Sequence, residues 1–177
     1  VNWNSFTAGT APLTIGVFLI GGIQLFFIGF MGEYILNINT RDTNIILGDE
    51  FVTLYGRDYI FDTLAGVKLK ITAPSFYQVN HDAAEMLYAK ARELAALTGE
   101  ELVLDLYCGA GTIGLSMANK AKNIIGVEII PEAVEDAKFN AQNNNITNAQ
   151  FICGDAKDAA RTLADKKIKP DVVVVDP

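Results

Sequence analysis

Between Glu101 and Asp176 the chain alternates short apolar runs with helical patterns four times, and few folds accommodate that order. Glu101–Leu106 reads as a buried strand, followed by a glycine turn and a helix near Ile113–Lys120. A second strand, Asn123–Glu128, precedes a helix that Pro131 opens at its first position and that runs to about Asn143. Gln150–Cys153 forms a third strand and Lys157–Asp165 a further helix. The run Val172–Val175, between Asp171 and Asp176, is wholly β-branched and suited to the middle of a parallel sheet. The order predicts a doubly wound α/β fold of the Rossmann-like kind, with its ligand beyond the carboxyl ends of the strands.

Upstream, Asn80 can cap a helix from about His81 to Leu97. Ala84, Leu87, Tyr88, Ala91 and Leu94 fall at helical spacing, and Gly99 is its expected stop. His81, the single histidine, falls in the first turn, where a solvated helix-start residue is the expectation ahead of a proton shuttle. From Asn37 to Val79, alternation in Asn44–Leu47 and Val67–Ile71 suggests short strands punctuated by Gly48, Gly56, Gly66 and Pro74.

Charge divides the chain unevenly. No charged residue occurs from Val1 to Gly32, while all 14 Lys and Arg and all 21 Asp and Glu lie from Glu33 onward. Within the uncharged part, Ala11–Met31 has Gln24 as its one strongly polar side chain and is long enough to span a bilayer core of about 30 Å. Gly16, Gly21, Gly22 and Gly29 weaken a helix in water but are common in membranes, so the expectation is a transmembrane helix ahead of a buried soluble one. The expected divisions are therefore 1–36, an apolar membrane-type helix; 37–79, a β-rich connection; and 80–177, the α/β domain.

The chemistry concentrates in Gly109-Ala110-Gly111-Thr112-Ile113-Gly114, a G-x-G-x-x-G that follows a strand and opens a helix. Glu128, 17 residues after Gly111, ends the next strand, where a carboxylate can accept the hydroxyl protons of a ribose. That much fits NAD and S-adenosylmethionine alike. Asp105 shifts the balance: a second carboxylate so near the turn repels a pyrophosphate but suits a sulfonium and its amino group. Asp155, closing the third strand, could accept the exocyclic amine of adenine, or these acids could simply cap the following helices. Cys108 and Cys153 form no CxxC pair, so neither a zinc site nor a disulfide framework is suggested, and two free thiols fit a reducing cytoplasm.

SFYQVN (Ser75–Asn80), LDLYCGAGTIGL (Leu104–Leu115), GVEIIPEAVEDAKFNAQ (Gly126–Gln142) and DVVVVDP (Asp171–Pro177) resemble, in order and spacing, the RNA uracil-5-methyltransferases that act on ribosomal and transfer RNA. The resemblance covers about Asn37 to Pro177. It implies a Rossmann-like S-adenosylmethionine methyltransferase fold with an incomplete parallel sheet, and cofactor contacts from Gln78, Tyr107, Glu128 and Asp176. Gly109 and Gly111 of the turn, Asp105 and Asp155 join these from the residue-level reading. In that family a cysteine adds to carbon 6 of uracil and a base later removes the carbon 5 proton, both from positions beyond the Asp-Pro-Pro motif in which Pro177 falls. No catalytic residue is therefore assigned here, and the expectation is that this chain by itself does not turn over. A net charge of −7 argues against strong phosphate binding by this chain alone, so an RNA partner would be held by something else. Gly21–Ile35, GGIQLFFIGFMGEYI, resembles instead the last membrane helix of family 2 glycosyltransferases of the polyprenyl-phosphate type, and the two resemblances meet near Leu36.

Overall fold

The computed structural model describes residues 34–40, Gly48 and residues 50–176. The expected membrane helix of Ala11–Met31 and the expected strand at Asn44–Leu47 lie outside the described residues. Among the described residues no helix is long and apolar enough to cross a membrane.

Two compact units divide the chain, Val1–Arg57 and Asp58–Pro177. In the first, β1 (Tyr34–Ile38) pairs antiparallel with β2 (Glu50–Tyr55), with a register shift between Tyr34 and Ile35. Residues 34–36, expected as the end of the helical segment, are thus extended, because their backbone groups are taken up by a partner strand rather than by a helix.

The second unit begins with a hairpin, β3 (Tyr59–Leu64) and β4 (Val67–Thr72), joined by Ala65 and Gly66. Both joining residues have positive φ, 52° and 80°, as a twist-matched two-residue hairpin turn demands. Val67, Leu69 and Ile71 alternate inward and are buried, while Lys68 and Lys70 point away. These residues share one core cluster with Val103, Ile113, Met117 and Ile124. The hairpin, grouped by sequence with a connecting segment, therefore packs as part of the α/β unit.

After α1 (His81–Ala95) come β5 (Leu102–Leu106), α2 (Thr112–Met117), β6 (Asn123–Glu128), α3 (Pro131–Asn143), β7 (Ala149–Cys153), α4 (Ala156–Asp165) and β8 (Val172–Val175). The four strands form one parallel sheet in the order β7-β6-β5-β8. Its two faces bury different sets. Val103 and Ile124 face the hairpin, α1 and α2, whereas Leu104 and Val127 face Ala159 and Leu163 of α4.

Two helix ends differ from expectation. Helix α1 stops at Ala96, which adopts φ 47°, and not at Gly99, because its amide turns back to the Glu93 carbonyl. Helix α2 ends at Met117, where amides bond three residues back, Ala118 to Leu115 and Lys120 to Met117. Strand β8 pairs parallel with β5 among the described residues, and Val173 and Val175 are about half exposed.

Candidate functional site

A cavity of about 400 Å³ opens at the carboxyl ends of β5, β6 and β8, where this sheet order places a ligand. Phe76, Tyr77 and Gln78 form one wall, ahead of α1. Asp105, Tyr107 and Gly109 come from the end of β5 and its loop, Glu128 from the end of β6, and Asp176 from just past β8. Six of the eight residues singled out from the sequence meet here: Gln78, Asp105, Tyr107, Gly109, Glu128 and Asp176.

The carboxylates differ in environment. Asp105 is 1% exposed, and its Oδ2 accepts from the Gly114 amide at 2.8 Å. Burial, reinforced by the charges of Asp176 and Glu128 and opposed by that hydrogen bond, pushes its acid up to about 7. A Cβ at Gly114 would stand 2.9 Å from the same oxygen, so glycine is what lets the helix amide reach the acid. Glu128 pins the loops around it: Oε2 accepts from the Gly109 amide at 3.0 Å, and Oε1 from the amides of Ile129 and Ile130 at 2.7 and 2.9 Å. Asp176 is exposed at the cavity mouth. Among the described residues no Lys, Arg or His lines the cavity, so its ionisable side chains lend it negative charge and no positive charge.

Tyr107 has φ 63°, a left-handed conformation that a side chain adopts at a cost. The strain turns its ring to the cavity, where it is half exposed. Tyr88 and Thr112, bonded at 3.0 Å through their hydroxyl oxygens, also line the cavity. Helical spacing marked Tyr88 only as an inward residue of α1, and nothing in the sequence tied it to Thr112.

Gly111 and Asp155 stand apart from the lining. Gly111, at φ 83°, is the N-cap of α2, and a Cβ there would sit 3.1–3.2 Å from Leu115, Ala137 and Phe151; its smallness serves packing. Asp155 caps α4, its Oδ1 accepting from the amides of Lys157 and Asp158 at 2.9 and 3.2 Å, the capping role that competed with ligand binding in the sequence. Cys108 contributes to the cavity lining but is itself buried, and burial raises its thiol well above the usual range, which suppresses the thiolate. Cys153 is exposed, its thiol donating to the Ile129 carbonyl at 3.8 Å. His81 lies at the surface, Nε2 3.0 Å from the Thr63 carbonyl, and does not line the cavity.

The profile of a family described as a methyltransferase domain matches residues 97–176. An uncharacterized RNA methyltransferase of Enterococcus faecalis is 51% identical over 141 residues, 80% of this chain and 31% of the relative. A Staphylococcus aureus protein of the same description matches at 51% identity with the same coverage. The chain thus spans about a third of the length of these curated relatives. Among solved structures, the Pyrococcus abyssi tRNA (uracil-54, C5)-methyltransferase in complex with S-adenosyl-L-homocysteine superposes with a TM-score of 0.60 at 29% identity, covering 82% of this chain and 34% of that one.

Proposed function

We propose that the chain, whose residues 97–176 match a methyltransferase-domain family, binds S-adenosylmethionine in the cavity at the strand ends and serves methyl transfer to carbon 5 of uracil in RNA. The observation that carries the cofactor reading is the lining itself, with Asp105, Glu128 and Asp176 and, among the described residues, no cationic side chain. A dinucleotide pyrophosphate would meet like charges there, whereas a sulfonium and an ammonium meet opposite ones. When bound, the cofactor supplies an electrophilic methyl group on sulfur.

The chain's own residues then divide the work. Asp105 and Asp176 face the cationic end, and Asp105 gives up its proton as positive charge arrives. Glu128 keeps acceptor capacity for ribose hydroxyls while holding the Gly109 amide. The Tyr107 ring walls the methionine portion, and Gln78 closes the opposite side. Asp155, outside the cavity lining, would reach the adenine amine only through Oδ2, since both bonds of its cap fall on Oδ1. Neither cysteine supports a nucleophile's role, so none is assigned.

The RNA and uracil parts rest on the SFYQVN, glycine-turn and DVVVVDP motifs in their order, and on the likeness to the E. faecalis RNA methyltransferase and the P. abyssi tRNA (uracil-54, C5)-methyltransferase. With a net charge of −7, phosphates must be gripped by surfaces beyond this cavity. The apolar run Ala11–Met31 supports membrane association of the same chain, which flotation with lipid vesicles would test.

Calorimetric titration of S-adenosylhomocysteine and, separately, NAD into the chain tests the cofactor assignment. Binding of the first, lost in a folded Glu128→Ala variant, with no heat from NAD, is expected; tighter binding of NAD would overturn it. For the reaction, nucleoside mass spectrometry of RNA from cells lacking the gene should show loss of 5-methyluridine. Loss of a different methylated nucleoside would sink the uracil reading and leave the methyltransferase one standing.

A further inference from the structure

Strand β4 gives one edge to β3 and the other to side chains of α3. The amide and carbonyl of Lys68 bond Asn144 Oδ1 and Nδ2 at 2.9 and 2.7 Å. Those of Lys70 bond Asn140 Oδ1 and Nδ2 at 2.6 and 3.0 Å, and the Thr72 amide donates to Asp136 Oδ2 at 2.9 Å. Side chains four residues apart on a helix thus satisfy strand residues two apart, and an edge that would otherwise be open is closed by three polar rungs.

The upper two rungs reach further than the hairpin. Asn140 is wholly buried, and its Nδ2 also donates to the Ala110 carbonyl, inside the glycine turn, at 3.1 Å. Asp136 is 1% exposed; its Oδ2 also accepts from Thr72 Oγ1 at 2.6 Å and Ser75 Oγ at 2.9 Å, and Lys70 Nζ lies 3.4 Å from Oδ1. Ser75 immediately precedes Phe76, Tyr77 and Gln78, which wall the cavity. The same helix starts three residues after Glu128. One rigid rod therefore references three walls of the cavity to one another, through two side chains that touch none of its space.

We propose that Asp136 and Asn140 are positioning residues for the cofactor cavity, setting the separation between the Phe76–Gln78 wall and the glycine turn. The proposal rests on the cofactor reading above. Asp136 suits a carboxylate because several donors converge on it; an amide there would turn its own N–H groups toward one of them. Asn144, the C-cap of α3, is the built-in comparison: it makes the same pair of bonds to the strand, and its Nδ2 also donates to the Asn140 carbonyl at 2.7 Å, but it leads to neither wall.

The test is S-adenosylhomocysteine affinity, by calorimetry on the full chain at a temperature where circular dichroism shows each variant folded. Asp136→Asn and Ser75→Ala should weaken binding about tenfold, as loss of a supporting contact typically does. Asn144→Ala should lower the melting temperature and leave affinity as it was. Because Ser75 acts through the wall that carries Gln78, Ser75→Ala should add nothing to the loss already caused by Gln78→Ala. Unchanged affinity in Ser75→Ala, or a loss in Asn144→Ala as large as in the other two, would overturn the proposal. Should Asp136→Asn not fold, Ser75→Ala and its cycle with Gln78→Ala decide the matter. A Gln78→Ala variant that binds like the parent would instead bring down the cavity assignment, and the positioning role with it.

Discussion

With a folded-state acid near 7 and an ordinary value of 3.8, Asp105 takes up a proton on folding throughout the interval between. The folded state then binds more protons than the unfolded one, so this residue's contribution falls as pH rises across that window and stays unfavourable above it. The melting temperature of the ligand-free chain should accordingly decline from about pH 4 to 7 and level off above that. Asp105→Asn, which keeps an acceptor for the Gly114 amide, should raise it and flatten the decline while weakening S-adenosylmethionine binding. Scanning calorimetry over pH, with titrations at two pH values, checks both. Tyr107 presents a similar opposition. Tyr107→Gly should relieve the left-handed backbone and stabilise the chain by about 1 kcal/mol in urea unfolding, yet bind S-adenosylhomocysteine less tightly for lack of the ring. The position of Asp105 before the glycine turn was readable because strand ends carry ligand groups. Its burial under Gly114 was not, since the contact depends on how closely α2 approaches β5. Asp136 escaped notice as one more acid on a helix, because the strand whose edge it closes lies 64 residues earlier.

At the level of elements, signals that act within one turn were the reliable ones. Pro131 starts α3, and the strand Asn123–Glu128 has the bounds its apolar run implied. Ends that depend on competition between neighbouring hydrogen bonds moved. Helix α1 closes on Ala96 in a left-handed conformation although Gly99 stands three residues on, because Thr98, Gly99 and Glu100 turn their amides to the Glu101 carboxylate. Those bonds, the Thr98 hydroxyl foremost, hold the Glu101 acid down at about 2. Since Ala96 is exposed and its φ is 47°, Ala96→Gly should stabilise the helix terminus by roughly 1 kcal/mol, read as a rise in urea midpoint without change in slope.

Across the whole unit from Asp58 to Pro177, the cavity draws on positions from Phe76 to Asp176, so no single element contains the site. Ligand binding should therefore stabilise the unit as one body. S-adenosylhomocysteine at a hundred times its Kd should add about 2.7 kcal/mol to unfolding. Hydrogen exchange should slow at the Gly109 and Gly114 amides and equally along β8; protection confined to the glycine turn would show that the walls are not mechanically joined. The joining helix also acts as a vernier. Four residues of helix advance about 6.0 Å while two residues of strand advance about 6.7 Å, so successive rungs drift by roughly 0.7 Å. With Asn140 at the coincidence, Asn144 and Asp136 stay within hydrogen-bond tolerance, and a fourth rung would not. The sequence ends the scale at both sides: Pro74 has no amide to offer, and Asn148 is turned to the carbonyls of Ala118 and Ala121. Two rulers of unequal pitch coincide at one setting only, and a hairpin slid along α3 by a single graduation has no second place to rest.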